Sequence, residues 1–507
     1  MKRTLKLLCC VSLLASSSYI SNAKDPDITI VTSNKKLEQA FSWAKVKARS
    51  YVLTGKRGVV NASEQSKGDG DVAYIPSYWA GYPHRTAFYS RDYCHQMSGA
   101  HLLGLQKENY VMLRSFARTA NASRKWYPLW AINFDGSDYT LDYRNDNSFV
   151  REVPAVFELV EKGYRQYLWT GNDSLISDPV LWSYYSKAVT DFVALHDMRL
   201  PNGVAEGDGS GSIFRGTASF NEADDVPFLE AGDGIACQYQ AFLSYARMLK
   251  ARGDANGAAI YLKKAADLKS YFNTQWSKAS GADGYVRGYN AEGKPVLGFG
   301  KENSWFMPMK LITEPSKKND AYLDYISQSL ADSAQCPPNV EALTYLPDTY
   351  FAYNRVKEGW YWMERIIDGC NQSHVVSQGG RNGDYPEVSF VIISGVVENL
   401  MGVEPNAPRH SMATVSRLPA EVSTLGVKNI PMGDHLVNVL HEGRNTTTVT
   451  HVKGLCSLSC ELRFYGRHSQ IVVNGKTQAA KISHLNGVEV SSVVVKIGIG
   501  QKVCAKL

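Results

Sequence analysis

Several things are scarce in this chain. Its 507 residues include nine cysteines, with no CxxC and no HExxH spacing, so nothing in the sequence predicts a metal site. Seven of the nine (Cys94, Cys237, Cys336, Cys370, Cys456, Cys460 and Cys504) follow residue 23, an odd number dispersed over a long chain and not a disulfide framework. Cys456 and Cys460 are close enough to bridge across a turn or to pack separately, and the spacing leaves both open. Beyond the amino-terminal segment no run reaches the roughly 18 apolar residues of a membrane span, so no membrane span is expected. Nor is charge of one sign in excess. Lys and Arg number 55 against 49 Asp and Glu, and the net charge of +6 includes Lys2, Arg3 and Lys6. Such balance gives no reason to expect nucleic acid or an anionic membrane as partner.

The first residues, Met1 to Lys6, carry positive charge and precede an apolar run from Leu7 to Ala15 and the small residues Ser21-Asn22-Ala23. That order predicts a cleavable export signal over 1–23 and a periplasmic or secreted chain beginning near Lys24.

From Leu37 onward apolar residues recur at steps of three and four, and helices are expected at Leu37–Tyr51, Tyr93–Leu105, Asn109–Ala120, Pro154–Trp169, Pro179–Met198, Ile235–Lys250 and Asn256–Trp276. Others are expected at Glu302–Ile312, Asp320–Ala331, Val356–Ile367 and Pro386–Met401. Pro154, Pro179 and Pro386 open theirs, where a missing N–H costs nothing. The connections alternate. Short ones such as Gly171-Asn172-Asp173 suit antiparallel hairpins. Long ones, at 71–92, 126–151, 200–234, 284–301, 336–353 and 371–385, are crowded with aromatic and acidic residues. Hairpins stacked side by side place every long connection on one face, and closure after about six hairpins makes that face a pocket. After residue 407 short alternating runs take over, with the turn dipeptides Asn474-Gly475 and Asn486-Gly487. The expected fold is therefore mainly α, an (α/α)6 toroid over 24–407 followed by a small antiparallel β-domain over 408–507.

Acids in the long connections are numerous: Asp92, Asp135, Asp138, Asp142, Glu152, Glu222, Asp224, Asp225, Glu230, Asp233, Asp384 and Glu387, with Glu364 on a helix. Glycosidic cleavage passes through an oxocarbenium-like state and needs two carboxyl groups, one protonated and one ionised. Most loop acids instead cap helices or face water. Asp233, just before the helix at Ile235, is equally suited to capping it. Tryptophans support a sugar site independently: Trp79, Trp126, Trp130, Trp305, Trp360 and Trp362 lie in or beside long connections, and an indole face stacks on the apolar side of a sugar.

Glu230-Ala231-Gly232-Asp233 resembles a shortened form of the Glu-Ser-Gly-x-Asp segment of six-hairpin glycosidases, the group of glucoamylases, trehalases, processing α-glucosidases and α-L-rhamnosidases. Ser90-Arg91-Asp92 is similar to the Arg-Asp pair with which those families hold sugar hydroxyls, and Gly359 to Arg365 looks like the aromatic segment that carries their general base. The glycine-rich stretch from Gly379 to Glu387 continues the likeness. Ala87 departs from it, standing where α-L-rhamnosidases have an acid. The resemblance implies an inverting, exo-acting glycoside hydrolase of oligo- or polysaccharides without cofactor or metal. Asp233 or Glu230 would be the acid and Glu364 the base. Arg91, Asp92, Trp126, Trp130, Trp362, Asp384 and Glu387 would hold the substrate. Two other readings fit the outline: a polysaccharide lyase using Tyr82, His84, Arg85, Tyr89 and His95, and a glycan-binding protein with no paired acid and base.

Overall fold

The computed structural model describes residues 27–222, 226–278, 284–376 and 379–507, so the expected export signal lies outside the described residues. Among them are twelve α-helices of six residues or more: α1 (Lys35–Ser50), α2 (Ser90–Leu102), α3 (Gln106–Thr119), α4 (Val153–Thr170), α5 (Pro179–Val189), α6 (Gly232–Ala251), α7 (Ala255–Tyr271), α8 (Glu302–Met309), α9 (Lys317–Ala331), α10 (Leu346–Phe351), α11 (Val356–Gly369) and α12 (Pro386–Ser394). Local chemistry explains many of their ends. Asn34, Asp178, Asp254 and Ser316 each accept a hydrogen bond from a first-turn N–H. Gly171, at φ 64°, ends α4 in the left-handed conformation.

The helices fall into two kinds. Even-numbered ones are buried nearly all round; every residue of α12 and twelve of the thirteen in α2 are inaccessible. Odd-numbered ones are amphipathic, as in α11, which buries Trp360, Trp362, Met363 and Ile366 and leaves Tyr361 to solvent. Packing follows this division. α2 lies against α4, α4 against α6, α6 against α8 and α8 against α10. α10 meets the π-helical turn Gly395–Leu400 that continues α12, and α12 packs on α2. Close approach requires glycine at two of these contacts. A Cβ at Gly99 would sit 2.2 Å from the Phe390 carbonyl oxygen, and one at Gly232 would sit 2.3 Å from that of Asn303.

Two helical expectations change. α10 lies within the stretch read as the connection 336–353; six residues containing Pro347 are too short to show a periodicity. The helix expected over Pro179–Met198 breaks at Thr190, whose hydroxyl bonds the Ser186 carbonyl and the Asp191 carboxylate, and a short turn of helix, Asp191–Leu195, follows.

The β region forms two sheets. One has seven strands in the order 29–32, 424–432, 435–442, 446–453, 502–506, 470–473 and 476–479, paired antiparallel throughout. The other has five, in the order 404–406, 411–415, 458–465, 488–497 and 481–485. Both Asn-Gly dipeptides turn hairpins, each with two positive φ angles. The expected antiparallel domain is corrected in two respects. Ser411–Val415 pairs parallel with Leu458–Tyr465, and Thr29–Thr32 covers the edge of Thr424–Met432. Pairing depends on which strand edge is open, a property that lies outside any single segment. One continuous apolar cluster runs from Leu37 and Phe41 through the helices to Val437 and Val503. Cys456 and Cys460 are both free. No helix among the described residues is long and apolar enough to cross a membrane.

Candidate active site

Long connections precede the even-numbered helices, and each of the six contributes to one cavity of about 410 Å³. Tyr82, Arg85 and Tyr89 come from the first, Trp130 from the second, Phe220 to Glu222 from the third and Lys301 from the fourth. The fifth supplies Glu341 and Tyr345, and the sixth Tyr385. First-turn residues complete the wall: Arg91 and Asp92 of α2, Glu302 of α8 and Glu387 of α12. Helix N-termini carry partial positive charge, so carboxylates gathered there are stabilised by the backbone. The volume falls within the roughly 300–1,000 Å³ of small-molecule sites.

Arg91 braces the floor. Its guanidinium donates to Glu302 at 2.9 Å, to the Phe220 carbonyl at 3.1 Å and to the Tyr345 hydroxyl at 3.3 Å, and it lies over the rings of Phe220 and Tyr345. Asp92 accepts the Tyr385 hydroxyl at 2.7 Å. Burial, reinforced by the nearby Glu387 carboxylate, pushes its pKa up to about 7 against the opposing effects of Tyr385 and Arg91.

Oε1 of Glu387 is engaged by His95 Nδ1 and accepts the Thr344 hydroxyl at 3.1 Å. His95 stacks on Tyr345 with ring centres 3.9 Å apart, and its Nε2 stands 3.6 Å from Asp348. Burial depresses the pKa of His95, but the nearby Asp348 and Glu387 carboxylates outweigh burial and raise it. Across the cavity Glu222 remains wetted, yet the enclosing walls and the Glu302 carboxylate raise its pKa despite Arg91 and Arg85. Behind Trp130, buried Glu152 accepts the indole N–H at 2.8 Å, and burial followed by the charge of Glu222 holds its pKa well above the usual range.

Of the residues expected from sequence, the cavity brings together Arg91, Asp92, Trp130 and Glu387. The others lie elsewhere. Glu230 is fully buried behind the wall, accepting the Trp276 indole N–H at 2.5 Å and the Asn202 amide at 2.9 Å, and burial pushes its pKa up to about 7. Asp233 accepts the Phe220 N–H at 2.6 Å and the Ser219 hydroxyl at 2.9 Å, so it ties down the connection that presents Glu222. Glu364 is on the amphipathic helix α11, half-exposed, 3.6 Å from Lys36, in a separate depression with Tyr361 and Asp368. Trp126 packs beneath the Lys187 ammonium, Trp362 is core, and Asp384 pairs with Lys47 at 2.6 Å. Asp224 and Asp225 lie outside the described residues. Of the lyase set, Tyr82, Arg85 and Tyr89 line the cavity, while His95 stands behind Glu387.

Glu302, Glu341, Tyr345 and Tyr385 were not singled out from sequence, although a signal for the first exists. Every even-numbered helix begins with an acid: Asp92, Glu152 as N-cap, Asp233, Glu302, Asp348 and Glu387.

No family model and no curated protein matches the chain. Solved structures do. An α-L-rhamnosidase from Dictyoglumus thermophilum is similar over 96% of this chain and 51% of its own, with 14% identity and a TM-score of 0.60. A GH78 family rhamnosidase of Bacillus sp. GL1 matches over 85% and 42%, at 10% identity and 0.59. A putative kojibiose phosphorylase from the human microbiome matches over 93% and 63%, at 9% identity and 0.53. The chain thus spans about half the length of the two rhamnosidases, and at these identities what it shares with all three is the fold.

Proposed function

We propose that the chain is a glycoside hydrolase that removes a terminal sugar from an oligo- or polysaccharide with inversion. In this reading the even helices form the inner ring and the odd helices the outer ring of an (α/α)6 toroid. The observation that carries it is the convergence of six separate connections on one cavity holding five carboxylates (Asp92, Glu222, Glu302, Glu341 and Glu387) among aromatic rings. Exo action is part of this reading, with Arg91, bonded to Glu302 and Tyr345, placed beneath the terminal sugar.

Glu222 is the general acid in this proposal. It reaches the cavity from the same connection as Glu230 and Asp233, which do not, and its pKa is shifted upward, the direction a general acid needs. Glu387 is the general base in place of Glu364: Oε1 is held by His95 and Thr344, and the carboxylate directs a water at the anomeric carbon. Arg91, Asp92 and Tyr385 hold hydroxyls, and Trp130 offers a stacking face. With the segment 1–23 as export signal, the site of action is the periplasm or the medium.

The lyase reading needs a tyrosine that gives up its proton. Burial and Asp142 push Tyr89 far the other way, though its hydroxyl receives a hydrogen bond from Arg85. Nitrophenyl glycosides, α-L-rhamnoside included, and plant and host oligosaccharides are the screen, with the product anomer followed by NMR. Glu222→Gln is expected to lower turnover of unactivated substrates by about 10²–10⁴-fold and to spare glycosyl fluorides, whose leaving group needs no acid. Glu387→Gln is expected to lower both. An unsaturated, ultraviolet-absorbing product would replace hydrolysis by elimination, full activity in both variants would remove Glu222 and Glu387 as acid and base, and glycan binding without turnover of any substrate by the wild type would leave only binding.

A further inference from the structure

Away from the cavity, where the two sheets meet, the ligand atoms of His410, His435 and Cys456 lie within 4.8 Å of one another. His410 Nδ1 and His435 Nε2 are 2.9 Å apart. Asp434 borders the two imidazoles: its Oδ1 is 3.4 Å from His435 Nε2 and 3.9 Å from His410 Nδ1.

The hydrogen bonds behind this cluster fix which atoms have lone pairs to offer. The Ile497 carbonyl only accepts, so His451 Nδ1, 3.1 Å away, carries the hydrogen and its Nε2 is bare. His435 Nδ1, 2.9 Å from that Nε2, must then donate. In the neutral ring this leaves Nε2 of His435, fully buried, with its lone pair aimed at His410, Cys456 and an aspartate oxygen that has no hydrogen to give. A second-layer partner on the far nitrogen is how proteins orient metal-binding imidazoles. Asp434 is set in the same way, its Oδ2 accepting the Leu455 N–H at 2.9 Å and leaving Oδ1 toward the cluster.

The backbone is bent to bring these groups together. His410 adopts φ 47°, ψ 46°, a left-handed conformation costly for a residue with a Cβ. Gly454 cannot be replaced, since a Cβ there would sit 2.5 Å from His435 Nδ1 and 2.6 Å from His451 Nε2.

We propose that His410, His435, Cys456 and Asp434 bind a zinc ion. One thiolate, two imidazoles and a carboxylate are a borderline-soft, four-coordinate set, which suits Zn²⁺ better than the oxygen-seeking Mg²⁺ or Ca²⁺. Cys456 loses its thiol proton to solvent on binding. The ion is a staple. His410 leads into strand 411–415 of the five-stranded sheet, His435 opens strand 435–442 of the seven-stranded sheet, and Cys456 lies on the link between strands 446–453 and 458–465.

Full-length protein, stripped with a chelator and titrated with zinc chloride against a chromophoric indicator, is expected to take up one equivalent and to melt at a higher temperature. Cobalt(II) in its place should give four-coordinate visible bands and a near-ultraviolet thiolate band. Cys456→Ser should lose the thiolate band. His410→Asn should weaken binding at least tenfold; its side chain is half-exposed and asparagine tolerates the left-handed backbone, so folding is preserved. Uptake unchanged in both variants, or six-coordinate cobalt without a thiolate band, would overturn the site and leave a hydrogen-bonded chain of histidines.

Discussion

Asp233 shows what a buried carboxyl does without reaching a substrate. Burial pushes its pKa from 3.8 up to about 7, against the Phe220 N–H and the Ser219 hydroxyl that favour the charged form. Between those values the unfolded chain has lost this proton while the folded chain keeps it, so stability falls as pH rises from about 4 to 7 and levels off above. Asp233→Asn removes that slope, whatever fixed penalty its altered hydrogen bonding adds. Denaturant midpoints measured across this range should therefore show the variant gaining on the wild type as pH rises, by an amount on the order of a few kcal/mol. Groups common to both proteins cancel, including His101 and His196, whose pKa values burial lowers to about 4. Parallel curves would mean that Asp233 ionises normally.

At the scale of elements, the even helices approach one another too closely for ordinary side chains. Gly99 of α2 faces the backbone of Phe390 in α12, and carbonyl oxygens do not move aside as a flexible side chain would. Gly99→Ala is expected to cost about 1–3 kcal/mol by overpacking, read as a lowered urea midpoint with an unchanged slope. Because α2 carries Arg91 and Asp92, and α12 carries Glu387, the same change should lower kcat/KM by displacing the two halves of the site. Gly104→Ala, in open space at the end of the α2–α3 hairpin but at φ 83°, tests backbone strain alone and should leave the site's kinetics intact.

For the whole molecule, pairing, hydrogen bonds and apolar packing join the helices to the sheets. Thr29–Thr32 precedes α1 yet pairs with Thr424–Met432. Arg417 donates to the Glu398 and Asn399 carbonyls, and the Thr414 hydroxyl to that of Met401. The apolar cluster continues through both. Calorimetry is expected to show a single transition with equal calorimetric and van't Hoff enthalpies, and a chain truncated after Met401 is expected not to fold stably. Two separated transitions would show that the β region melts by itself.

Local patterns carried much of this architecture. A 3.6-residue periodicity marks a helix wherever it sits, an Asn-Gly pair turns a hairpin through its own backbone preference, and the alternation of short and long connections needs no distant partner to be seen. Sequence alone therefore determined the succession of helices and the β region after them, while the resemblance to six-hairpin glycosidases, with the loop acids and tryptophans, marked Arg91, Asp92, Trp130 and Glu387 as residues to examine. It could not determine which side of a helix, or which layer of helices, faces the cavity. Glu364 and Glu387 look alike as acids near aromatic residues, but α11 presents the first to Lys36 and water, while the N-terminus of α12 delivers the second to His95. The same holds for α10, for the pairing of residues 29–32 with 424–432, and for three potential metal ligands separated by 25 and 21 positions. Proximity between segments distant along the chain arises only when the apolar faces of all of them are buried together, and that was decided by the tertiary structure.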